Sequence, residues 1–341
     1  MTPRVSVVIP VYNPGDYLDA CVQSLLKQTL REMEFIFVDD ASTDGSAARL
    51  KEAERLDERV RVITMPENSG VSAARNAGID AALGKYVGFC DADDTADPEM
   101  YETLLNACEQ INAEVSFCRV FKDRPSGTED VPLGFPDGTR FNRAAIRSAL
   151  IPAMLSKEKD TDELPLSGYT PRNLFARRTI GMHRFREDIR YAEDLLFIIT
   201  CLMDANTAVA VDRAYYHYRF HAGSITKRYS SYIPESFERS NDALVMLVGG
   251  SSACMARMKI RKRKMAVDVV RNFSMIGTPF SFRERVAHSR AYLSRPDIAA
   301  LYRDVDMTKL PRRIAVKYWM MKHRQAFLLS LLFSTRFRKR V

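Results

Sequence analysis

The sequence Lys85-Tyr-Val-Gly-Phe-Cys-Asp-Ala-Asp-Asp94 contains a short apolar run that ends at three carboxylates. Because its apolar residues are consecutive rather than alternate, the run predicts a strand that is buried on both faces. Asp91, Asp93 and Asp94 then lie at the carboxyl end of this strand, which is the edge of an open α/β sheet where ligands bind. Mg²⁺ sites often combine one or two carboxylates with substrate phosphates. The stretch therefore favours a metal that holds a phosphorylated substrate.

The Asp-x-Asp pattern by itself does not distinguish a metal site from a chance match. Asp160 and Asp162 repeat the pattern, as do Asp304 and Asp306, and neither pair follows an apolar run. The position of Asp91 and Asp93 after a strand is what favours them, and the flanking chain has to supply the rest of the evidence.

The chain has 341 residues, enough for one large domain or two, and its 46% hydrophobic content is that of an ordinary globular protein. The first apolar run, Val5 to Val11, is too short for a signal peptide, and no stretch approaches the roughly 20 apolar residues of a spanning helix. No two of the six cysteines form Cys-x-x-Cys. We therefore expect buried, reduced thiols in the cytoplasm rather than a disulfide framework or a zinc site.

The net charge of +8 is unevenly distributed. Residues 256–341 contain 22 Lys and Arg but only 5 Asp and Glu, whereas the rest of the chain has a net charge of −9. A basic tail on an acidic body predicts an anionic partner, either a membrane or a nucleic acid. Apolar residues from Ile314 to Leu332 are roughly helix-spaced between basic residues. This pattern fits an interfacial helix on the acidic lipid surface and, equally, a helix packed on the catalytic domain or in a dimer.

The first third of the chain alternates between two patterns. β-branched or consecutive apolar residues predict strands over Val5–Ile9, Glu34–Val38, Val60–Thr64, Tyr86–Cys90 and Val115–Phe121. Helical spacing predicts helices over Asp16–Gln28, Ser46–Leu56, Ser72–Ala82 and Met100–Asn112. This alternation predicts an α/β fold with a Rossmann-like, mainly parallel central sheet and a C-terminal α-helical extension. The absence of Gly-x-Gly-x-x-Gly and of a phosphate-loop lysine motif disfavours dehydrogenases and P-loop enzymes.

Further along, the signals are more mixed. Residues 122–138 hold three prolines and three glycines and are interpreted as a linker or mobile surface loop. Residues 140–155 resemble a helix, 173–175 a short strand, 195–203 an apolar helix and 209–219 a strand, and helices with three breaks follow to the end. Glu193 and Asp194 precede the apolar helix and, taken alone, are a helix-start pair.

Five motifs in order carry a resemblance to a known family. They are Ser6-Val-Val-Ile-Pro-Val-Tyr-Asn13, Phe37-Val-Asp-Asp-Ala-Ser-Thr-Asp-Gly45, Asn68-Ser-Gly-Val-Ser-Ala-Ala-Arg-Asn76, Gly84 to Asp94, and Tyr191-Ala-Glu-Asp194. Together they resemble the family 2 glycosyltransferases of the bacterial surface-polysaccharide type, which have the A-type nucleotide-sugar-binding fold. The resemblance is dense over residues 4–122 and sparser to about 228. It implies a nucleotide-sugar-binding half at 1–122, an acceptor or catalytic half at 123–228, and a basic helical region at 229–341.

The resemblance also implies roles for individual residues. Asp194 would be the general base, and Asp93 would bind the metal. Asp40 would accept a hydrogen bond from a uracil-type ring, and a basic lid after the Tyr-x-Tyr-Arg strand would clamp the diphosphate. The donor contacts implied in this way come from Pro10, Val11, Tyr12, Asn13, Asp40, Arg75, Asp91, Ala92, Arg219, His221 and Ser224.

The function that the resemblance implies is inverting transfer of a hexosyl or N-acetylhexosaminyl group. The donor would be a nucleotide-diphosphate sugar, with a UDP-sugar favoured, and Mn²⁺ or Mg²⁺ would assist. The acceptor would be a hydroxyl of a glycan or lipid-linked molecule in cell-surface polysaccharide synthesis, at the cytoplasmic face of the inner membrane, and no nucleic acid partner is expected. Pro171-Arg172-Asn173 departs from the family's usual Trp-Asn-Lys, which leaves the sugar and acceptor open.

Two alternatives stay open at this point. A phosphatase with an aspartate nucleophile would need Asp-x-Asp after the first strand, where this chain has Ile-Pro-Val-Tyr-Asn. A non-enzymatic, basic membrane- or RNA-binding protein on a degenerate nucleotide-binding fold would not need Asp40, Asp91, Asp93 and Asp194 together.

Overall fold

A large mixed sheet carries the candidate site. The computed structural model describes residues 2–157, 166, 168–220, 228–275 and 277–338. Within these residues, ten strands form one sheet. They are β1 (Val5–Val11), β2 (Met33–Asp39), β3 (Val60–Thr64), β4 (Tyr86–Phe89), β5 (Thr95–Ala96), β6 (Val115–Arg124), β7 (Gly127–Val131), β8 (Arg140–Asn142), β9 (Asn173–Ala176) and β10 (Thr207–Arg219).

The strand order is β3-β2-β1-β4-β9-β6-β10-β5, with β7 on β6 and β8 on β10. Strands β3, β2, β1 and β4 are mutually parallel, and β6 is parallel to β10, so the long pairings are parallel as predicted. Strand β9 enters between β4 and β6 and is antiparallel to both. The α/β fold class is therefore confirmed, with an antiparallel insertion that the sequence pattern did not indicate.

Helices cover both faces of the parallel part. The helices up to β10 are α1 (Tyr17–Leu26), α2 (Ser46–Leu56), α3 (Val71–Ala81), α4 (Met100–Ile111), α5 (Arg143–Ala145), a π-helical turn (Ile146–Leu150), α6 (Ile151–Leu155), a 3₁₀ turn (Thr170–Arg172), α7 (Arg177–Ile180) and α8 (Glu193–Asp204). Val7 and Ile9 of β1 face a core that includes buried residues of α1, α2 and α4. Val8 points the other way, where a Cβ added to Gly78 of α3 would lie 2.2 Å from its Cγ1. This close approach seats α3 directly on β1.

Two predictions in the middle of the chain were wrong. Residues 122–138 are not a linker, because β6 runs to Arg124 and pairs with β7 across a tight turn. Most of β7 is exposed, so it has no apolar pattern by which it could be recognised. Arg140 to Asn142 form strand β8 rather than the first turn of a helix. There Phe141 is buried between two exposed residues, and the Asn142 side chain caps the helix that follows.

The chain forms two compact units. The first comprises Met1–Leu150, Gly168–Ile189 and Glu193–His221 and contains the sheet, and the second comprises Ile151–Ser167, Arg190–Ala192 and Ala222–Val341. The helices of the second unit after β10 are α9 (Ile233–Val248), α10 (Ser252–Asn272), α11 (Phe282–Ser294), α12 (Pro296–Tyr302), a 3₁₀ turn (Met307–Lys309), α13 (Arg312–Lys322) and α14 (Ala326–Arg338). Tyr302, Tyr318 and Leu329 belong to its core. The predicted C-terminal helical extension is present.

The six cysteines are buried and unbridged, as the sequence predicted, and the sulfur atoms of Cys21 and Cys90 are 3.9 Å apart. Among the helices of the described part of the chain, none combines the length and the apolar character needed to cross a bilayer.

Candidate active site

Two loops at the carboxyl ends of β1 and β2 are tied to each other. The Asn13 side-chain oxygen accepts the Thr43 backbone N–H at 2.7 Å, and the Asn13 backbone N–H donates to Ser42 Oγ at 3.2 Å. Asn13 has a φ of +49°, a left-handed conformation that asparagine tolerates. Pro10 is half-buried and Val11 is buried. In the predicted base-contacting segment the Tyr12 side chain is therefore exposed, and Asn13 makes the contacts with the β2 loop.

Asp40 is the second aspartate after β2 and is buried. Its two carboxylate oxygens accept the backbone N–H groups of Ser69 and Gly70, each at 2.8 Å. Gly70 has a φ of +93°, which a side chain would strain, so the tight entry into α3 needs glycine there. Asp40 therefore holds the start of the helix that carries Arg75. Its contact with a nucleotide base stays a prediction.

The turn after β4 is braced by a tyrosine from β10. The Tyr216 hydroxyl donates to Asp94 Oδ2 at 2.7 Å and accepts the Asp91 backbone N–H at 3.1 Å. Asp94 Oδ1 accepts the Arg219 backbone N–H at 2.8 Å. Burial, followed by repulsion from Asp91 and Asp93, raises the pKa of Asp94 well above its usual range. Asp94 is a structural member of the turn, which leaves Asp91 and the half-buried Asp93 as the carboxylates on its open side.

Arg75 is the centre of the site. Its guanidinium donates to Asp91 Oδ1 at 2.9 Å and to Asp194 Oδ1 at 2.5 Å, and it lies 3.5 Å from Glu193 Oε1. The Arg75 side chain is only 4% exposed, so its positive charge is buried. The guanidinium carbon of Arg75 lies over the Phe185 ring, 5.1 Å from the ring centroid. One buried cation therefore joins the strand-end carboxylates to the acidic start of α8.

The charges in this cluster perturb one another. Burial opposes the charge on Arg75, but Asp194, Asp91 and Glu193 together raise its pKa above the ordinary arginine value. Loss of hydration raises the pKa of Asp91 to about 6, against the opposing effect of Arg75. Loss of hydration and then repulsion from Asp194 raise the pKa of Glu193 to about 7. Titratable groups with such shifts concentrate at functional sites.

Asn76 fixes the other side of this cluster. Its amide forms a two-bond clamp on the backbone of Phe185, donating to the carbonyl at 3.0 Å and accepting the N–H at 2.8 Å. The segment before α8 is thus attached to the same helix that carries Arg75. The sequence analysis assigned no role to Asn76, although it is the last residue of the third motif.

The segment that departs from the family pattern borders Asp194. The Thr170 backbone N–H donates to Asp194 Oδ2 at 3.3 Å, and the Asn173 side chain donates to the carbonyl of Thr170 at 3.1 Å. Arg172 is buried, and burial lowers its pKa to about 10. The residue directly before the departing segment therefore contacts the predicted general base.

The predicted lid is only partly described. The Arg219 guanidinium lies over the Tyr17 ring at 5.1 Å. His221 and Ser224 lie outside the described residues. His217, which follows the bulged part of β10, lies between two carboxylates, with its nitrogens 2.9 Å from Asp123 and 3.2 Å from Asp97.

Asp91 and Asp93 offer hard oxygen donors of the kind that Mg²⁺ and Mn²⁺ accept. The described residues contain no group of three or more His, Cys, Asp or Glu that could hold a metal ion without other ligands. The donor set therefore fits a cation only if a bound substrate contributes oxygens, as phosphates do.

Comparison with known proteins identifies a family and a fold for this chain. Residues 6–166 match the family described as Glycosyl transferase family 2. The chain is 33% identical over 229 residues to the uncharacterized glycosyltransferase EpsJ of Bacillus subtilis, and the alignment covers 67% of this chain and 64% of EpsJ. It is 41% identical over 115 residues to TuaG of the same organism, whose name refers to teichuronic acid biosynthesis, and this alignment covers 34% of this chain and 46% of TuaG. Each relative therefore extends well beyond its alignment with this chain.

Two solved structures share the fold. S. aureus TarS 1-349 in complex with UDP-GlcNAc has a TM-score of 0.66 at 18% identity, over 98% of this chain and 92% of that chain. The mannosyltransferase PcManGT from Pyrobaculum calidifontis in complex with GDP-Man and Mn²⁺ has a TM-score of 0.56 at 14% identity, over 98% of this chain and 88% of that one. These structures share the fold, while the match over residues 6–166 and the similarity to EpsJ show that the chain carries a family 2 glycosyltransferase domain.

Proposed function

We propose that this protein transfers a sugar from a nucleotide-diphosphate donor to a hydroxyl group of an acceptor. The observation that carries the proposal is the ion-pair cluster in which Arg75 contacts both Asp91 and Asp194. Glycosyl transfer needs positive charge near the departing diphosphate and a carboxylate on the opposite side of the sugar C1. Family membership, together with a buried cation that joins two carboxylate groups, supports this chemistry.

Asp194 is the proposed general base. As the acceptor oxygen attacks C1, Asp194 would take its proton, and the bond from C1 to the diphosphate would break. The Thr170 N–H and Arg75 orient the Asp194 carboxylate, one on each oxygen. A single base with in-line attack inverts the anomeric centre, whereas retention would need a carboxylate placed to attack C1 itself. We therefore propose inversion.

Asp93 is the proposed metal ligand, with Asp91 beside it on the donor side. A bound Mn²⁺ or Mg²⁺ would neutralise charge on the departing diphosphate. As the diphosphate departs, Arg75 would stabilise the negative charge of Asp91. Arg219, His221 and Ser224 would contact the phosphates of the same diphosphate. The base and ribose would lie against Pro10, Val11, Tyr12 and Asn13, with Asp40 and Ala92 behind them.

A UDP-sugar is the proposed donor, since TarS, which shares the fold, is described in complex with UDP-GlcNAc. A hexosyl or N-acetylhexosaminyl group, a glycan or lipid-linked acceptor, and a role in cell-surface polysaccharide synthesis complete the proposal. TuaG, whose name refers to a surface polymer, supports that role. We place the reaction at the cytoplasmic face of the membrane.

Binding and transfer test the proposal separately. UDP should raise the melting temperature of the protein, and the rise should be larger with Mn²⁺. Asp194→Asn should abolish sugar transfer and leave the UDP-dependent rise intact. Asp19→Asn is the matched control, because the Asp19 side chain is 69% exposed on α1. The absence of metal-dependent binding to any nucleoside diphosphate would refute the donor assignment. If Asp194→Asn instead loses donor affinity, Asp194 is not the base.

A further inference from the structure

Three helices of the second unit expose large apolar side chains on their outer surfaces. Helices α11 and α13 each pack on α14. Six of their large apolar residues are exposed by 37% to 56%, and we call them the terminal patch: Phe282, Val316, Trp319, Phe327, Leu328 and Leu331. Other residues of α13 and α14, such as Ile314 and Leu329, already fill the core of the unit. The exposed side chains are therefore not needed for packing the unit.

Parts of the patch adjoin one another. The rings of Phe282 and Phe327 meet edge to face, with centroids 5.6 Å apart, so α11 and α14 contribute to one apolar surface. Val316 and Trp319 lie almost one turn apart on α13, and the Trp319 ring contacts that of His323 at 4.7 Å. Contiguous exposed apolar surface marks an interaction site more often than isolated residues do.

Most of the charge near the patch is positive, although Glu284 lies two residues from Phe282 on α11. From Met307 to Val341, the segment that holds the patch residues of α13 and α14, the sequence has ten Lys and Arg and no Asp or Glu. Arg312, Arg313 and Lys322 of α13 and Arg324 after it are exposed. Apolar side chains within a segment whose charged residues are all basic combine the two attractions that hold a protein on an anionic lipid surface.

We propose that the terminal patch docks on the surface of a bilayer that contains anionic lipids. Tryptophan and phenylalanine favour the boundary between headgroups and acyl chains, where an apolar ring is covered and its edge stays near water. A second copy of the chain would bring two segments of high positive charge together. A nucleic acid would neutralise the charge but leave the apolar side chains in water. Helices α13 and α14, with 11 and 13 residues, are shorter than the roughly 20 residues of a spanning helix, so a bilayer would meet them at its surface.

The chain contains a single tryptophan, Trp319, so its fluorescence reports on the patch directly. Vesicles of phosphatidylglycerol mixed with phosphatidylcholine should shift the Trp319 emission to shorter wavelength, and brominated acyl chains should quench it. Pure phosphatidylcholine vesicles should produce little change, and salt should reverse the effect. An unchanged emission with anionic vesicles would overturn the proposal. So would an equal shift without vesicles as the protein concentration rises, because that result would assign the patch to a second copy.

Variants that keep the tryptophan test the two attractions. Arg312→Ala with Arg313→Ala should weaken binding to anionic vesicles by about 30-fold, since each basic residue near the surface contributes about 1 kcal/mol. Phe327→Ala should weaken it by about tenfold through lost apolar insertion. Met246→Ala, 87% exposed on α9, and Lys51→Ala, exposed on α2, are the matched controls and should bind like the wild type. Equal losses in the controls, or none in the patch variants, would refute the assignment. Circular dichroism checks that every variant is folded, and nucleotide binding is a separate readout.

Discussion

Replacing Arg75 by methionine tests whether the cluster around it is as tightly coupled as its geometry indicates. Methionine keeps most of the side-chain length and removes the charge. The three carboxylates that Arg75 contacts are 15% to 29% exposed, and the Arg75 side chain is 4% exposed. Removing one partner of a buried ion pair typically costs 3 to 5 kcal/mol, because the remaining charges lose their compensation. We expect a loss of about 4 kcal/mol in the free energy of unfolding at pH 8, measured by urea denaturation.

The loss should depend on pH. Without Arg75, the pKa of Glu193, already about 7, rises further in the folded state while its unfolded value is unchanged. A carboxyl group whose folded pKa is raised costs stability above that pKa, and the cost disappears as the group takes up a proton at lower pH. The difference between Arg75→Met and the wild type should therefore be clearly smaller at pH 5 than at pH 8.

Arg55→Met is the matched control. Arg55 is 69% exposed and pairs across one turn of α2 with Glu52, so its loss should leave the free energy of unfolding nearly unchanged. The same Arg75 variant should also lose sugar transfer, because both the donor-side carboxylate and the base lose their orientation. A loss in stability no greater than that of Arg55→Met, or one equal at both pH values, would show that the cluster is not coupled through Arg75.

Three further substitutions probe other parts of the site. Glu193→Gln removes a carboxyl group whose pKa rises from 4.5 to about 7 on folding. The substitution should therefore stabilise the protein by up to about 3 kcal/mol at pH 8 and hardly at all at pH 4. Calorimetry that finds the same gain in stability at both pH values would contradict this. Tyr216→Phe removes the hydroxyl that braces the turn after β4 and should cost about 1 to 3 kcal/mol in urea denaturation, whereas the exposed Tyr12→Phe should cost nothing measurable. Gly78→Ala places a Cβ 2.2 Å from a valine methyl of β1 and should cost about 1 to 3 kcal/mol by the same assay, while Gly250→Ala, with open space around it, should not.

The sequence predicted those parts of the fold in which burial alone determines the pattern of apolar residues. Strands β1, β2 and β4 are buried on both faces, so their consecutive apolar residues identify them. Strand β7 could not be predicted, because most of its residues are exposed and its sequence therefore has no apolar pattern. The prolines and glycines of residues 122–138 were interpreted as a linker or loop, because a hairpin can be recognised there only through its pairing with β6.

The residues of the candidate site were likewise predictable only in part from the sequence. Asp40 and Asp91 could be predicted from their positions after strands, since parallel strands bring their carboxyl ends to one edge. The contact between Arg75 and Asp194 spans 119 residues, and no local pattern specifies it. The resemblance to a known family suggested both residues, whereas only the coordinates bring them together. The role of Asn76 was missed because an amide that binds backbone leaves no sequence signal beyond the residue itself.

Strand β9 explains how residues so far apart in sequence meet. It is antiparallel to β4, with Leu174 opposite Gly88. Because the two strands run in opposite directions, the residues just before β9 lie beside the carboxyl end of β4, where Asp91 follows. Thr170 in that segment donates its N–H to Asp194, so the register of β9 helps to hold the proposed base next to the donor-side carboxylates. A shift of β9 by one residue would move Thr170 along this edge and would exchange the two faces on which the side chains of β9 lie. The segment 171–173, which departs from the family pattern, is held in this position by the same register, and we infer that it contributes to the choice of sugar and acceptor.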